Sequence, residues 1–204
     1  MEEKITYFET FGAENTETTL RLALERAKAR GINTILLAST RGDTARRAAE
    51  LYAGKGIKLV VVPHQYGFDA SQHFPKELIT ELEKKGHQVY FGTMLFHQDN
   101  FYGEKAPSVI AQVLRIFCQG MKVAVELVLM ATNGGCIASG EKVVVVTGTG
   151  RGADTAIVVI AAPSNKFHEF HITEIICKPL ETRTSPLGEG PPRPPTPPTA
   201  QPAH

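Results

Sequence analysis

Between Val143 and Ile160 the chain reads VVVVTGTGRGADTAIVVI, two β-branched apolar runs around a nine-residue connection, Thr147–Thr155. Nothing else in the sequence narrows the fold as much. Runs this rich in valine and isoleucine suit strands of a sheet that is covered on both faces. The connection holds Gly148, Gly150, Gly152, Arg151 and Asp154, with hydroxyls from Thr147, Thr149 and Thr155. Glycines let a backbone turn tightly and expose its N–H groups, and Arg151 adds a fixed positive charge, which together make an anion cradle. The same glycines also suit a turn that only joins two strands.

The rest of the chain reads as alternating strands and helices. A short strand over Ile5–Phe8 precedes a helix capped by Asn15 or Thr16, whose apolar face is Leu20, Ala23, Leu24 and Ala27 and which Gly31 stops. Thr34–Ala38 and Lys58–Val62 are strands, with a helix from about Asp43 to Ala53 between them. A long loop runs from Pro63 to Phe74, a helix from Pro75 to about Lys85, and a short strand from Val89 to Phe91. After an irregular stretch at 96–105, a long helical pattern starts at Pro107 and ends at Asn133-Gly134-Gly135, with Gly120 expected to bend or break it. A last strand covers about Phe170–Cys177. Alternation of this kind implies an α/β sandwich on a largely parallel sheet. The connection before the last strand is too short for a parallel crossover, so the last two strands are antiparallel neighbours or the final one lies at an edge.

Length and composition set bounds. A chain of 204 residues with 42% hydrophobic content can bury one sizeable core, so residues 1–182 are expected to form one domain. Eight of the 13 prolines fall between Arg183 and His204, so 183–204 is expected to be a disordered or extended tail. A net charge of +1 gives no support for a nucleic-acid binder that works by bulk charge. The three cysteines, Cys118, Cys136 and Cys177, form no CxxC pair, which favours a reducing compartment and predicts no metal site. The acidic N-terminus does not read as a signal peptide, and no run is long and apolar enough for a membrane span. The expectation is a soluble, cytoplasmic protein.

In such sheets ligands gather at the carboxyl ends of the strands, where both STRGDT (Ser39–Thr44) and Thr147–Thr155 fall. Ser39, Thr40, Arg41, Gly42 and Thr44 surround a helix start, whose free N–H groups and dipole favour a phosphate; Asp43 suits a cap. Gly148-x-Gly150-x-x-Ala153 fits a loose dinucleotide pattern, but the next residues, Asp154–Ile160, read as a strand where that fingerprint needs a helix. Asp154 is an awkward phosphate neighbour. It suits a local backbone bond, a ligand hydroxyl, or a pair with Arg151. Lys122 and Glu126, one helical turn apart, are an ion pair or further ligand contacts, as is Asn15 beside its cap role. His64, Asp69 and His73 share a loop without metal-ligand spacing and read as surface residues; His168 and His171 point to opposite faces of a strand.

Taken together, STRGDTARRAAELY resembles the TKSGRSA-type loop and following helix of the pyruvate kinase C-terminal domain, and VVVVTGTGRGADTAIVV resembles that domain's later VTG…G…T loop and strand. The likeness covers roughly residues 14–62 and 107–178. It is nearest to stand-alone, mostly archaeal and bacterial proteins of that fold. The resemblance implies a three-layer α/β/α sandwich, with a mostly parallel mixed sheet of five core strands and an antiparallel edge strand. It also implies a sugar-phosphate effector site between the two loops, with no chemistry and no kinase activity. By position, Ser39, Thr40, Gly42 and Thr44 match the phosphate cradle, and Thr147, Gly148 and the following glycines match the covering loop. Thr40 stands in place of the family's lysine, Arg41 of a hydroxyl and Asp43 of an arginine, and the covering loop is shorter and lacks a tryptophan. A monophosphate fits these departures better than a bisphosphate, and the stand-alone relatives imply FMN as one candidate.

The expected function is therefore a small-molecule-binding domain for a phosphorylated metabolite or mononucleotide such as FMN, with a homo-oligomer compatible. Two alternatives stand beside it. One is a flavin- or phosphometabolite-dependent enzyme using the same site with Lys122, Glu126 or His64 as acid or base. The other is a regulatory or interaction protein.

Overall fold

The computed structural model describes residues 2–97 and 106–181; the tail at 183–204 and most of the irregular stretch at 96–105 lie outside the described residues. The elements run β1 (Thr6–Phe8), α1 (Thr16–Ala29), β2 (Thr34–Ala38), α2 (Asp43–Leu51), β3 (Lys58–Val62), α3 (Lys76–Lys84), β4 (Gln88–Val89), α4 (Ala106–Arg115), α5 (Gln119–Asn133), β5 (Lys142–Thr147), β6 (Thr155–Ile160) and β7 (His171–Pro179). The described strands form one sheet in the order β1-β7-β6-β5-β2-β3-β4.

Strand periodicity sorts the core into two layers. Ile35, Leu37, Leu59, Val61, Val144 and Val146 pack with Leu20, Ala23 and Ala27 of α1, Ala45, Ala48 and Ala49 of α2, and Leu78 and Leu82 of α3. Their alternate neighbours, Leu36, Val60, Val143 and Val145, pack instead with Met121, Ala124, Leu127 and Val128 of α5. Successive strand side chains point to opposite faces, so a strand buried on both sides must be apolar at every position. The outcome is the three-layer α/β/α sandwich.

β2, β3, β4 and β5 are mutually parallel, and β1 is parallel to β7. β6 runs antiparallel to both β5 and β7. The antiparallel strand is inside the sheet because β7 and β1 continue the sheet beyond it. The hairpin register, Val144↔Val158 through Thr147↔Thr155, closes the connection directly over the carboxyl end of β5.

The long helical pattern breaks ahead of Gly120. α4 ends at Arg115, and Cys118 caps α5 by accepting the Met121 N–H on Sγ at 3.4 Å. Gly120 lies within α5 and answers a packing need, since a Cβ there would collide with the Thr155 side chain. Pro75 caps α3 from outside, its φ of −66° already suited to a helix start. None of the described helices is long and apolar enough to cross a membrane.

Candidate functional site

β2, β3 and β5 are adjacent and parallel, so their carboxyl ends open onto one space. A cavity of about 350 Å³ lies there, walled by Ala38 and Thr40 after β2, Pro63, His64 and Phe68 after β3, Gly148, Gly150 and Gly152 after β5, Met94 and His97, and Gln119, Lys122 and Glu126 of α5. Both predicted loops reach it.

The loop after β2 is built from its own residues. Ser39 is buried, and its hydroxyl accepts the Ala45 N–H at 3.3 Å, so Ser39 caps α2. Asp43, expected as a cap, is the exposed first residue of the helix. Gly42 turns the chain with φ of +91°, and a Cβ there would press on Leu78 and Pro75. Thr44 is buried and Thr40 half-buried on the cavity wall. Arg41 is exposed and has no ion-pair or hydrogen-bond partner among the described residues. Arg46 and Arg47 pair outward with Glu81 and Glu17, at 3.5 and 3.9 Å.

The loop after β5 is held from far away. Asp154 is wholly buried; its Oδ2 accepts the Gly12 and Thr149 N–H groups, each at 3.0 Å, and its Oδ1 accepts the Thr155 hydroxyl at 2.7 Å. Thr16 accepts the Ala153 N–H at 2.9 Å, and Thr19 donates to the Ala153 carbonyl at 3.3 Å. Thr147 donates to the Gly120 carbonyl at 2.8 Å. Thr147, Thr149, Asp154 and Thr155 therefore lie beneath the loop, with the first, third and fourth side chains spent on internal bonds, and none of the four is on the cavity wall. Asp154 takes the local-backbone role and pairs with no arginine among the described residues. The wall itself is Gly148, Gly150 and Gly152. Of the loop amides, those of Thr149, Ala153 and Asp154 are bonded inward, while those of Gly148, Gly150, Arg151 and Gly152 meet no acceptor among the described residues. Arg151 is exposed at the rim and unpaired among the described residues. Asn15 stands apart, its Nδ2 donating to the Thr10 carbonyl at 2.9 Å.

The α5 wall carries the ionisable groups. Lys122 is 1% exposed and Glu126 3% exposed, and Lys122 Nζ donates to Glu126 Oε2 at 2.5 Å. Glu126 Oε1 accepts the Phe96 N–H at 2.8 Å and meets His97 Nδ1 at 3.2 Å. Burial works against ionisation of Glu126, but the His97 hydrogen bond and the Lys122 charge and hydrogen bond outweigh it and hold the carboxyl below its ordinary value. Burial also pulls the Lys122 ammonium below its ordinary range, with Glu126 opposing. Lys122 Nζ further lies 5.5 Å from the Phe96 ring centroid.

His64 and His97 flank Phe68, with ring centroids 4.8 and 5.3 Å from it. The His64 side chain is 39% exposed, yet its Nδ1 is sealed from solvent without a hydrogen-bond partner among the described residues, and Asp69 Oδ2 lies 4.0 Å from it. That is an ionic distance too long for a hydrogen bond. Burial pushes the His64 pKa down, with Asp69 opposing. His64, a surface residue by its loop and an acid or base only in the enzyme alternative, lines the cavity, and so do His97, Gln119 and Phe68, which the sequence does not single out. No spacing signal marked them, because they converge only through the fold. Among the described residues no group of three His, Cys, Asp or Glu side chains is placed to hold a metal.

A larger hollow of about 670 Å³ adjoins, lined by Gln65, Tyr66, Tyr90, Phe91, Asn133 and Ser164 among others, and shares Met130 with the first. No charged side chain among the described residues lines it, so the smaller cavity is the better candidate for chemistry despite its size.

The model of the family described as pyruvate kinase, alpha/beta domain, matches residues 17–160. Solved structures similar to the chain include a pyruvate kinase from Cryptosporidium parvum, 18% identical, with 72% of this chain and 23% of that one covered and a TM-score of 0.40. A second Cryptosporidium parvum pyruvate kinase structure is 16% identical over 72% of this chain and 22% of that one, with a TM-score of 0.37. A third, in complex with ADP, is 18% identical over 70% and 22%, also with a TM-score of 0.37. The match spans less than a quarter of the length of those pyruvate kinases.

Proposed function

The chain belongs to the pyruvate kinase alpha/beta domain family, and from that premise we propose that it binds a phosphorylated small molecule between the Ser39–Thr44 and Thr147–Thr155 loops. One observation carries this reading: the unspent N–H groups of Gly148, Gly150 and Gly152 share a cavity with Thr40, beside the start of α2. Backbone amides and a helix start aimed at one space favour an anion there. The buried side chains of Thr147, Asp154 and Thr155 hold the loop in shape. Arg41 and Arg151 steer from the rim.

The cavity suits a phosphate monoester, and FMN or another phosphorylated metabolite is the ligand class we favour, with no nucleic-acid or membrane partner. We place the protein in the cytoplasm, in keeping with three cysteines that are all buried and unpaired. Absorbance of the freshly purified chain would reveal a retained flavin. Thermal shift with inorganic phosphate, ribose 5-phosphate and FMN tests the site directly, and stabilisation by at least one of them is expected. Stabilisation that survives unchanged in the double variant Arg41→Ala/Arg151→Ala would put the ligand elsewhere. A second reading, that the site also does chemistry, is favoured by the Lys122–Glu126–His97 cluster on the wall of the same cavity.

A further inference from the structure

The described histidines are not equivalent. His87 Nδ1 accepts the Leu59 N–H at 3.3 Å, so its proton sits on Nε2. His73 turns Nε2 toward Asp69 at 3.3 Å, and His168, 79% exposed, turns Nε2 toward Glu169 at 3.8 Å. His64 Nδ1 has no hydrogen-bond partner among the described residues. His97 alone among them has a buried carboxylate on Nδ1 and a place on the cavity wall. A carboxylate at Nδ1 fixes the tautomer with the proton on that nitrogen and leaves the Nε2 lone pair free. No partner meets His97 Nε2 among the described residues. Glu126 is itself locked by the Phe96 N–H and Lys122, so the ring it orients is held firmly.

The glycine loop and His97 bound the same space. A cavity of 350 Å³ would be roughly 9 Å across if it were spherical. A phosphoryl group resting on the Gly148–Gly152 amides then shares that space with His97. Lys122 lines it too, where a cation offsets charge gathering on phosphoryl oxygens.

We infer that His97 is a phosphoryl acceptor, its Nε2 taking the phosphoryl group of an acyl phosphate held against the glycine loop. The inference rests on the phosphate-site reading of the same cavity. The Nε2 lone pair forms an N–P bond while the P–O bond to the acyl oxygen breaks. The electron pair of that bond leaves on the carboxylate. The imidazolium so formed keeps its Nδ1 proton on Glu126, whose negative charge balances it.

The test uses the full chain with acetyl phosphate as donor. Intact mass and peptide mapping at neutral pH would follow labelling, and thermal shift with inorganic phosphate would run alongside. One acid-labile, base-stable phosphoryl group on the peptide holding His97 is expected. His97→Gln should lower labelling by roughly tenfold or more, and Glu126→Gln should slow it. If Glu126→Gln fails to fold, Glu126→Gln/Lys122→Met removes both charges together and keeps the comparison. Labelling spread evenly over His97, His168 and His171 would overturn the inference. So would an unlabelled chain that phosphate stabilises, and in that case the phosphate site survives. An unlabelled chain that phosphate does not stabilise would remove both.

Discussion

The two loops that meet at the cavity sit on adjacent parallel strands and are made in opposite ways. Ser39–Thr44 is assembled within itself: a serine caps the helix that begins just after it, and one glycine makes the turn. Thr147–Thr155 is assembled from outside, through a buried aspartate that binds Gly12 and through Thr16 and Thr19 of α1. The first leaves its arginine and helix start open. The second spends Thr147, Asp154 and Thr155 on its own shape and sets Gly148, Gly150 and Gly152 on the cavity wall. A binding wall made of backbone needs a scaffold of buried side chains behind it, and residues of the right type for a ligand can be that scaffold.

Removing the scaffold should do the most damage. Asp154→Ala strands two buried N–H groups and a hydroxyl and is expected to cost about 3–5 kcal/mol in urea unfolding. A cost near that of Ser39→Ala would erase the contrast between the loops. Glu126 asks whether burial alone explains such a loss, since Lys122 neutralises it in place. Glu126→Gln should cost about 3 kcal/mol at neutral pH by leaving Lys122 buried without its counter-charge. The folded carboxyl lies below its ordinary 4.5, so its stabilisation is complete above that value and is lost as pH falls through the folded value. The gap between parent and variant should accordingly shrink below pH 4.5 in melts taken across that range.

Glycine substitutions sharpen the contrast within the outer-held loop. Gly152→Ala meets both a φ of +73° and a collision with Thr16 and the Ala13 backbone, and should cost about 2–4 kcal/mol. Gly150→Ala has a φ of +75° but open space, and about 1 kcal/mol is expected. In the self-made loop, Ser39→Ala should cost about 1 kcal/mol, the ordinary value for a lost helix cap. Arg41→Ala and Arg151→Ala, both exposed, should each change stability by less than about 0.5 kcal/mol. Each should nonetheless weaken stabilisation by a bound phosphate ester by about 1.5–3 kcal/mol, measured by thermal shift.

The contrast also explains what could be read from the chain. β2 and β3 fall where periodicity put them, Thr34–Ala38 and Lys58–Val62, because apolar runs report burial on both faces without reference to partners. The failed helix after Gly152 was legible for the same reason, since TAIVVI suits only a strand. Capping was legible in kind but shifted in position. Asp43 is a good cap by type, yet Gly42 turns the chain so that Ser39 reaches the helix instead. Gly120 looked like a breaker because its partner, Thr155, is remote in sequence. The local bond of Asp154 to the Thr149 amide was legible, but its bond to Gly12 and the His97–Glu126 contact were not, because those partners are remote in sequence and only the fold brings them together.

The Gly12 and Thr149 amides end on one oxygen of Asp154. Either both are shielded or, when that carboxylate swings out, both are released. Native-state hydrogen exchange should therefore find these two amides, far apart in the chain, exchanging with one opening free energy. A ligand seated on the glycine amides would slow both to the same degree, and a probe near the first helix would register events at the hairpin. The segment before α1 is in this sense a reporter for a cavity it does not line.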